Sequence, residues 1–534
     1  MEKEEKICKK LKVPESKLTP EERIKLLMSF RNEWKLYKRK CDATGEEILS
    51  AYHPDSKFKV YKNEYWWGDK WNALDYGRDF DFSRGFLDQF SDLQKVVPRE
   101  GTSVFNCENC AYNSHIRESR NCYLNSLVYK CEDIYFSYWM VNNKDVFDSM
   151  CMHDSTLCYE CNEVRQSYNC IALGESTNCH DCYFSYQLRG CDHCLFSSNL
   201  SNKSYYIYNK KCTEKEFNEE LKKYINGSYK AWEEGCKKYV ETKESAIHRA
   251  THGVNYENST GDHIYNCKNC INCYDSFDSE DCENSISLGN SKDCASVYSA
   301  GWPGCNVVYD SVTTRGSTEI AFCVYTWFSS NLRYCESMNE CDSCFGCIGL
   351  NHKQYCILNK QYTKEEYEIL IPKIIEHMGE TGEWGDFFPK NLSAFAYNET
   401  AAIDFFPMTE EEAKKEGFTW KAKDTKEYKP TEIKNIPDMI SEINDDFISK
   451  VLACENCEKN YKIINQELNF YRKMGLPIPR FCPECRHKNR FAQRNPMKIF
   501  TRKCDKCEKE INSSYKQERK EKIFCEECYI NSIQ

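Results

Sequence analysis

The sequence predicts a mainly β fold, with a parallel β-solenoid-like body and helical inserts. A tandem of four-cysteine metal ribbons follows at the C-terminus, and a degenerate ribbon-like module stands at the N-terminus. Three observations predict it. A Cys-rich unit of roughly 100 residues occurs twice. Four CxxC pairs crowd the last stretch of chain, and the N-terminal residues repeat part of that stretch with most of its cysteines replaced.

The duplication is visible at a constant offset of 150. Cys191-Asp192-His193-Cys194 is matched by Cys341-Asp342-Ser343-Cys344. Tyr205-Tyr206-Ile207-Tyr208-Asn209-Lys210 is matched by Tyr355-Cys356-Ile357-Leu358-Asn359-Lys360. The copies also open alike, at Asn106-Cys107-Glu108-Asn109-Cys110 and Asn266-Cys267-Lys268-Asn269-Cys270. Self-similarity at fixed spacing is the mark of stacked repeats. Within each copy the cysteines step by 9 and 12, as in Cys110, Cys122, Cys131 and in Cys335, Cys344, Cys356. The sum, 21, is the coil length expected here. Short aromatic and β-branched runs bounded by Asn, Ser, Asp and Gly supply strand-and-turn chemistry at that spacing. Each copy then leaves through a Thr-x-x-Glu capping box, Thr213 to Glu216 and Thr363 to Glu366. Helical patterning follows over Phe217–Tyr239 and Tyr367–His377.

The domain boundaries expected are 1–100 for the degenerate ribbon-like module with an aromatic connector and 101–212 for the first Cys-rich unit. A helical insert takes 213–247, the second unit 248–361, a helical or irregular connector 362–445, and the tandem ribbon 446–534. Trp66, Trp67 and Trp71 with Asp79, Asp81 and Arg84 read as an aromatic plug joining the N-terminal module to the first coil. The alternative is a ligand cleft with paired carboxylates, of the kind found in carbohydrate-active solenoid enzymes.

The chain has 534 residues, 36 cysteines, a net charge of −10 and a mean hydropathy of −0.74. These values exclude collagen, coiled coil and wholesale disorder. No stretch approaches the ~18 apolar residues of a membrane span, and the charged start Met1-Glu2-Lys3-Glu4-Glu5-Lys6 reads as no secretory leader. A cytoplasmic protein with reduced thiols is expected. Charge is uneven: residues 451–534 hold 18 Lys and Arg against 11 Asp and Glu, whereas 101–450 hold 34 against 53. A basic tail on an acidic body is a hint about partners.

The metal ligands expected are Cys454, Cys457, Cys482 and Cys485 at one site and Cys504, Cys507, Cys525 and Cys528 at another. Two CxxC turns close a tetrahedral thiolate shell around zinc, and a shell with four protein ligands is structural. Two Zn ions and no nucleotide cofactor are therefore expected. Cys454-Glu-Asn-Cys457, Glu467-Leu-Asn-Phe470-Tyr471 and Pro479-Arg-Phe-Cys482-Pro-Glu-Cys485-Arg486 resemble a zinc-ribbon domain found in many bacterial proteins. The wider layout, with Cys344-Phe-Gly-Cys347-Ile-Gly-Leu350, resembles an uncharacterised bacterial family of Cys-rich repeat proteins carrying that domain. The resemblance implies zinc at the eight cysteines and no activity.

At an offset of 463, Pro20-Glu21-Glu22-Arg23 matches Pro483-Glu484-Cys485-Arg486, and Arg39-Lys40-Cys41-Asp42 matches Arg502-Lys503-Cys504-Asp505. Thr19, Glu22, Thr44, Lys62 and Tyr65 then stand at ligand positions, and only Cys41 remains. This predicts a ribbon fold with a crippled site. The solenoid thiols, including Cys267-x-x-Cys270-x-x-Cys273, read first as small buried residues. Further zinc ligands, helped by His180 and His193, and iron–sulfur or redox work are the alternatives. Arg486, Lys488, Arg490, Arg494, Lys498 and Arg502, interleaved with Phe481, Phe491 and Phe500, form a candidate nucleic-acid surface. The function expected is a non-enzymatic zinc-binding scaffold or recognition protein whose partner is a protein or a nucleic acid. Metal storage or redox work, and less so carbohydrate chemistry, stand as alternatives.

Overall fold

The computed structural model describes residues 2–110, 112–422 and 436–533. These divide into two compact units, neither continuous in sequence. One comprises Met1–Ser103, Thr251–Ala422 and Pro496–Ile499; the other comprises Val104–Ala250, Lys423–Asn495 and Phe500–Gln534. Each holds one solenoid and one ribbon module. The first solenoid thus shares its unit with the C-terminal ribbons, and the second with the N-terminal module.

Both solenoids are parallel, and their register gives the coil length. Val146 pairs with Ile134 on one side and Cys158 on the other, and Leu332 pairs with Ile320 and Cys344. The coil is therefore 12 residues, which corrects the expectation of 21. The step of 9 is three corners of the same coil. From Asn106 to Tyr208 every third residue has φ near +50°, Gly190 among them, and the second solenoid repeats the pattern from His263 onward. Each such residue turns a corner, so four corners of three residues close one coil.

The residue after each corner points inward. In the first solenoid Ile116, Cys122, Val128, Cys131, Ile134 and Met140 run in this order, and the same rule carries through to Cys194. A side of three residues spans at most about 10 Å, so the buried interior is filled by small polar, thiol and aliphatic side chains. The polar and thiol groups also satisfy the backbone. Ser149 Oγ donates to the Phe147 carbonyl at 2.9 Å and accepts the Cys161 amide at 3.1 Å. Cys131 Sγ does both for Tyr129 and Asn143, and Asn125 bridges Ile134 and Ser137 in the same way. Buried backbone groups must be paired, which is why Ser, Cys and Asn fill so many inward positions.

One outer wall of each solenoid is apolar and covered. In the first, Tyr135, Phe147, Tyr159, Ile171, Tyr183 and Leu195 stack at twelve-residue intervals. Phe470 of the helix Asn465–Met474 lies 3.9 Å from the Phe147 ring, and Trp232 of the helix Tyr229–Ser245 lies 5.4 Å from Tyr159. In the second, Tyr298, Tyr309, Phe345 and Ile357 are buried with the helices Glu2–Leu11, Pro20–Met28 and Lys364–Glu380. Both expected capping boxes form, at Thr213 and Thr363. The helix expected over Phe217–Tyr239 divides instead into Glu214–Leu221 and Tyr229–Ser245, with Gly227 at φ +86° between them. The connector is partly helical, at Ala402–Phe405 and Glu410–Lys415; its residues 423–435 lie outside the described residues.

The aromatic plug closes the last coil of the second solenoid, not the first coil of the chain. Trp71 and Ala73 join that solenoid's core, and Asn359 Nδ2 donates to the Ala73 carbonyl. Asp79 accepts from Lys360 and Tyr362, Asp81 accepts from Ser83, and Arg84 pairs with Asp92. The segment is a strap tied to its neighbours rather than a cleft.

Ser149→Ala should lower stability by about 1–3 kcal/mol, because the buried Cys161 amide loses its partner and the Phe147 carbonyl keeps only the Glu160 amide. Lys144→Ala on the outer wall should stay within about 0.5 kcal/mol. Urea unfolding followed by circular dichroism compares the two.

Candidate metal centres

The hairpin Leu452–Ala453 and Asn460–Tyr461 carries Cys454 and Cys457 in its turn. After the helix Asn465–Met474, ended by Gly475 at φ +64°, the chain returns to Cys482, the N-cap of the helix Pro483–Phe491, with Cys485 in its first turn. The second ribbon repeats this design. The hairpin Phe500–Lys503 and Glu510–Ser513 presents Cys504 and Cys507, and Cys525 caps the helix Glu526–Ile530 that holds Cys528.

In each set the four sulfurs lie within 4.8 Å of one another. Cys457 Sγ to Cys482 Sγ is 3.7 Å, and Cys507 Sγ to Cys525 Sγ is 3.8 Å. A regular tetrahedron with metal–sulfur bonds of ~2.3 Å has edges of ~3.8 Å, so the thiols fit such an ion. The backbone assists. Burial opposes ionisation of Cys454 and Cys504, but amides outweigh it: the Cys482 N–H reaches Cys454 Sγ, and the Cys525 N–H reaches Cys504 Sγ. These thiols are lowered to about 7 and about 6. Thiolates, not thiols, bind metal. Each shell takes all four ligands from the chain and leaves no position open.

The N-terminal module keeps the fold and loses the ligands. Its helices Glu2–Leu11 and Pro20–Met28 and its strands Tyr37–Lys40 and Glu47–Ser50 correspond, residue for residue at the offset of 463, to elements of the C-terminal ribbons. Where Cys482 and Cys485 join the four-thiol cluster, Thr19 and Glu22 form a capping box, with Glu22 N–H donating to Thr19 Oγ1. Cys41 still accepts the Lys62 amide at 3.3 Å, as Cys504 accepts that of Cys525. Asp42 still pairs with Arg39, as Asp505 does with Arg502.

Four of the six candidate nucleic-acid residues are turned inward. Arg486 is 4% exposed and pairs with Asp148 and Glu467; Arg490 is 3% exposed and pairs with Asp148 and Glu160. Arg494 pairs with Glu163, and Arg502 with Asp505. A guanidinium desolvated against the chain's own carboxylates cannot also neutralise a phosphate. Lys488 and Lys498 are exposed, beside Glu484 and Glu21. The acidic partners were missed in the sequence, though a signal existed: the offset of 463 carries Glu4 to Glu467. In its own unit Arg23 is held by Glu4 and Asp310, as Arg486 is by Glu467 and Asp148.

The solenoid thiols of the described residues do not converge in the way those eight do. Those that follow a corner point into the coils and donate to carbonyls, as Cys170 does to Tyr168 and Cys335 to Arg333, whereas Cys151 itself turns a corner.

No family model matches the chain, and no curated protein matches it. Among solved structures it is similar to one described as "putative acetyltransferase from Desulfovibrio desulfuricans G20". The identity is 11% over 45% of this chain and 59% of that one, so the chain spans just over half of that protein, and the TM-score is 0.12. A likeness at that level carries no argument.

Removing metal with a chelator under reducing conditions should unfold the ribbons, since binding and folding free energy are one quantity in such modules. Circular dichroism and metal release follow it. Arg486→Ala should cost about 3–5 kcal/mol by leaving Glu467 buried without a cation and Asp148 with Arg490 alone, with both metals retained by elemental analysis.

Proposed function

We propose that the protein is a zinc-stapled, non-enzymatic scaffold that offers the outer walls of its solenoids to a protein partner. The observation that carries this reading is the inward set of the ribbon arginines. The C-terminal ribbon grips its solenoid through Arg486, Arg490 and Arg494, so its cationic groups clamp the chain to itself. The closed thiolate shells support a structural metal. Four-sulfur tetrahedral sites suit zinc or iron, and the resemblance of the ribbon motifs favours zinc. Stacked charge on the outer walls, such as Arg120 with Glu132 and Lys144, or Glu280 with Lys292, suits recognition of a polar protein surface. Among the described residues every cysteine is a free thiol, in accord with a reducing compartment such as the cytoplasm. No described helix is long and apolar enough to cross a membrane.

Mass spectrometry of anaerobically purified, dialysed protein should find two tightly held zinc ions and no iron. Stoichiometric iron would replace this reading with a redox one. In gel shifts at low salt, single- and double-stranded nucleic acid should remain unbound. A shift that weakens steeply with salt would assign the exposed lysines to a nucleic-acid partner instead.

A further inference from the structure

Two short motifs, Cys179-His180-Asp181-Cys182 and Cys191-Asp192-His193-Cys194, are left unused by the zinc ribbons and by the solenoid core. Their cysteines point inward. The four residues between them stand on the outer side of adjacent coils: His180 pairs in register with Asp192, and Asp181 and His193 turn the same corner twelve residues apart, both at φ +49°. One coil spacing, about 4.8 Å, separates such partners.

We propose that Asp181, Asp192 and His193, with His180 at the rim, form a third, solvent-reachable site for a divalent cation of zinc type. The ligand atoms of Asp181, Asp192 and His193 lie within 4.8 Å of one another. His193 Nδ1 stands 2.8 Å from Asp192 Oδ1, yet that buried nitrogen makes no hydrogen bond, so the contact is not an aligned N–H···O pair. The imidazole is fixed in place, stacked on Tyr205 at 4.6 Å and met edge-on by Phe217 at 5.4 Å. Asn169 Nδ2 donates to Asp181 and also meets the Tyr183 hydroxyl, which orients the carboxylate. Ligands held by such outer hydrogen bonds are the usual mark of a metal site.

The second solenoid supplies an internal control. At the offset of 150 the same four positions are Ser330, Asn331, Asp342 and Ser343. There the carboxylate of Asp342 accepts from Ser330, Asn331 at 2.9 Å and Ser343 at 2.8 Å, so neutral donors satisfy it. In the first solenoid those donors are replaced by two imidazoles and a second carboxylate. Two carboxylates on adjacent coils, with ligand oxygens within 4.8 Å, repel unless a cation joins them, and mixed imidazole and carboxylate ligands select borderline divalent ions. Three protein ligands leave positions for water, unlike the closed thiolate shells.

The test uses the full chain with both thiolate shells already loaded with zinc. Titration with further Zn²⁺ in a calorimeter should show one additional equivalent. Asp181→Asn with His193→Asn should weaken it by about tenfold or more, with the two tight zincs and the melting temperature unchanged; Asp192→Asn is the second variant should that pair disturb folding. Asp342→Asn, in the other solenoid, should leave the third equivalent intact. Co²⁺ added to the same protein should give visible d–d bands without sulfur-to-metal charge transfer. No third equivalent in the wild type, its persistence in the variants, or a charge-transfer band from solenoid thiols would each overturn the proposal. None of these outcomes bears on the two-zinc scaffold reading.

Discussion

A left-handed backbone corner at every third residue is the constraint on which the rest of this protein depends. For residues other than glycine that conformation costs of order 1–2 kcal/mol, and each solenoid adopts it dozens of times, at Leu127, Trp139 and Tyr325 as well as at Asn and Asp. It persists because each corner is over-determined. The parallel ladder holds the backbone on both sides, Asn and Asp side chains tie successive corners together, as Asn142 does with Asp154, and the next residue inward is either a small hydrogen-bonding group or a buried aliphatic. The cysteine content follows from this geometry. In these coils a thiol does what a hydroxyl does for the backbone while contributing more apolar surface.

The ribbon modules show how one fold can exchange one means of holding a helix start for another. In Cys482-x-x-Cys485 the two side chains at the helix N-terminus converge with Cys454 and Cys457 in a four-sulfur cluster that could hold a metal. In Thr19-x-x-Glu22 the same two positions close on each other and on the first-turn amides. Both arrangements sit at the same helix start, a thiol cluster of metal-binding geometry in one module and a capping box in the other. The N-terminal module needs less from that start, because Arg23 with Glu4 and Asp310 anchors it to its solenoid in the same manner as Arg486 with Glu467 and Asp148.

Much of this was legible in the sequence. The duplication at 150, the eight convergent cysteines, the two capping boxes and the ribbon copy at 463 are periodic or paired signals, and the structure carries all of them. The coil length was misjudged because 9 and 12 were added, when their common factor of three was the repeat. The inward set of the arginines was hidden for a different reason. A run of cations looks the same in sequence whether it faces water or buried carboxylates, and Asp148 and Glu160 lie more than 300 residues away from Arg490. The discontinuous units were hidden likewise, since no local pattern announces which distant segment covers a wall of aromatic rings.

The chain order of the second unit has a consequence for how it is made. Asp148 is laid down 342 residues before the Arg490 that neutralises it. At ribosomal rates of 5–20 residues per second, that is about 20–70 s. During that interval the first solenoid must wait with its wall of Tyr135, Phe147 and Tyr159 lacking the ribbon's Phe470 and Tyr471. A newly made chain is therefore exposed to premature association for the better part of a minute, and arrival of the ribbon tail is what closes that window.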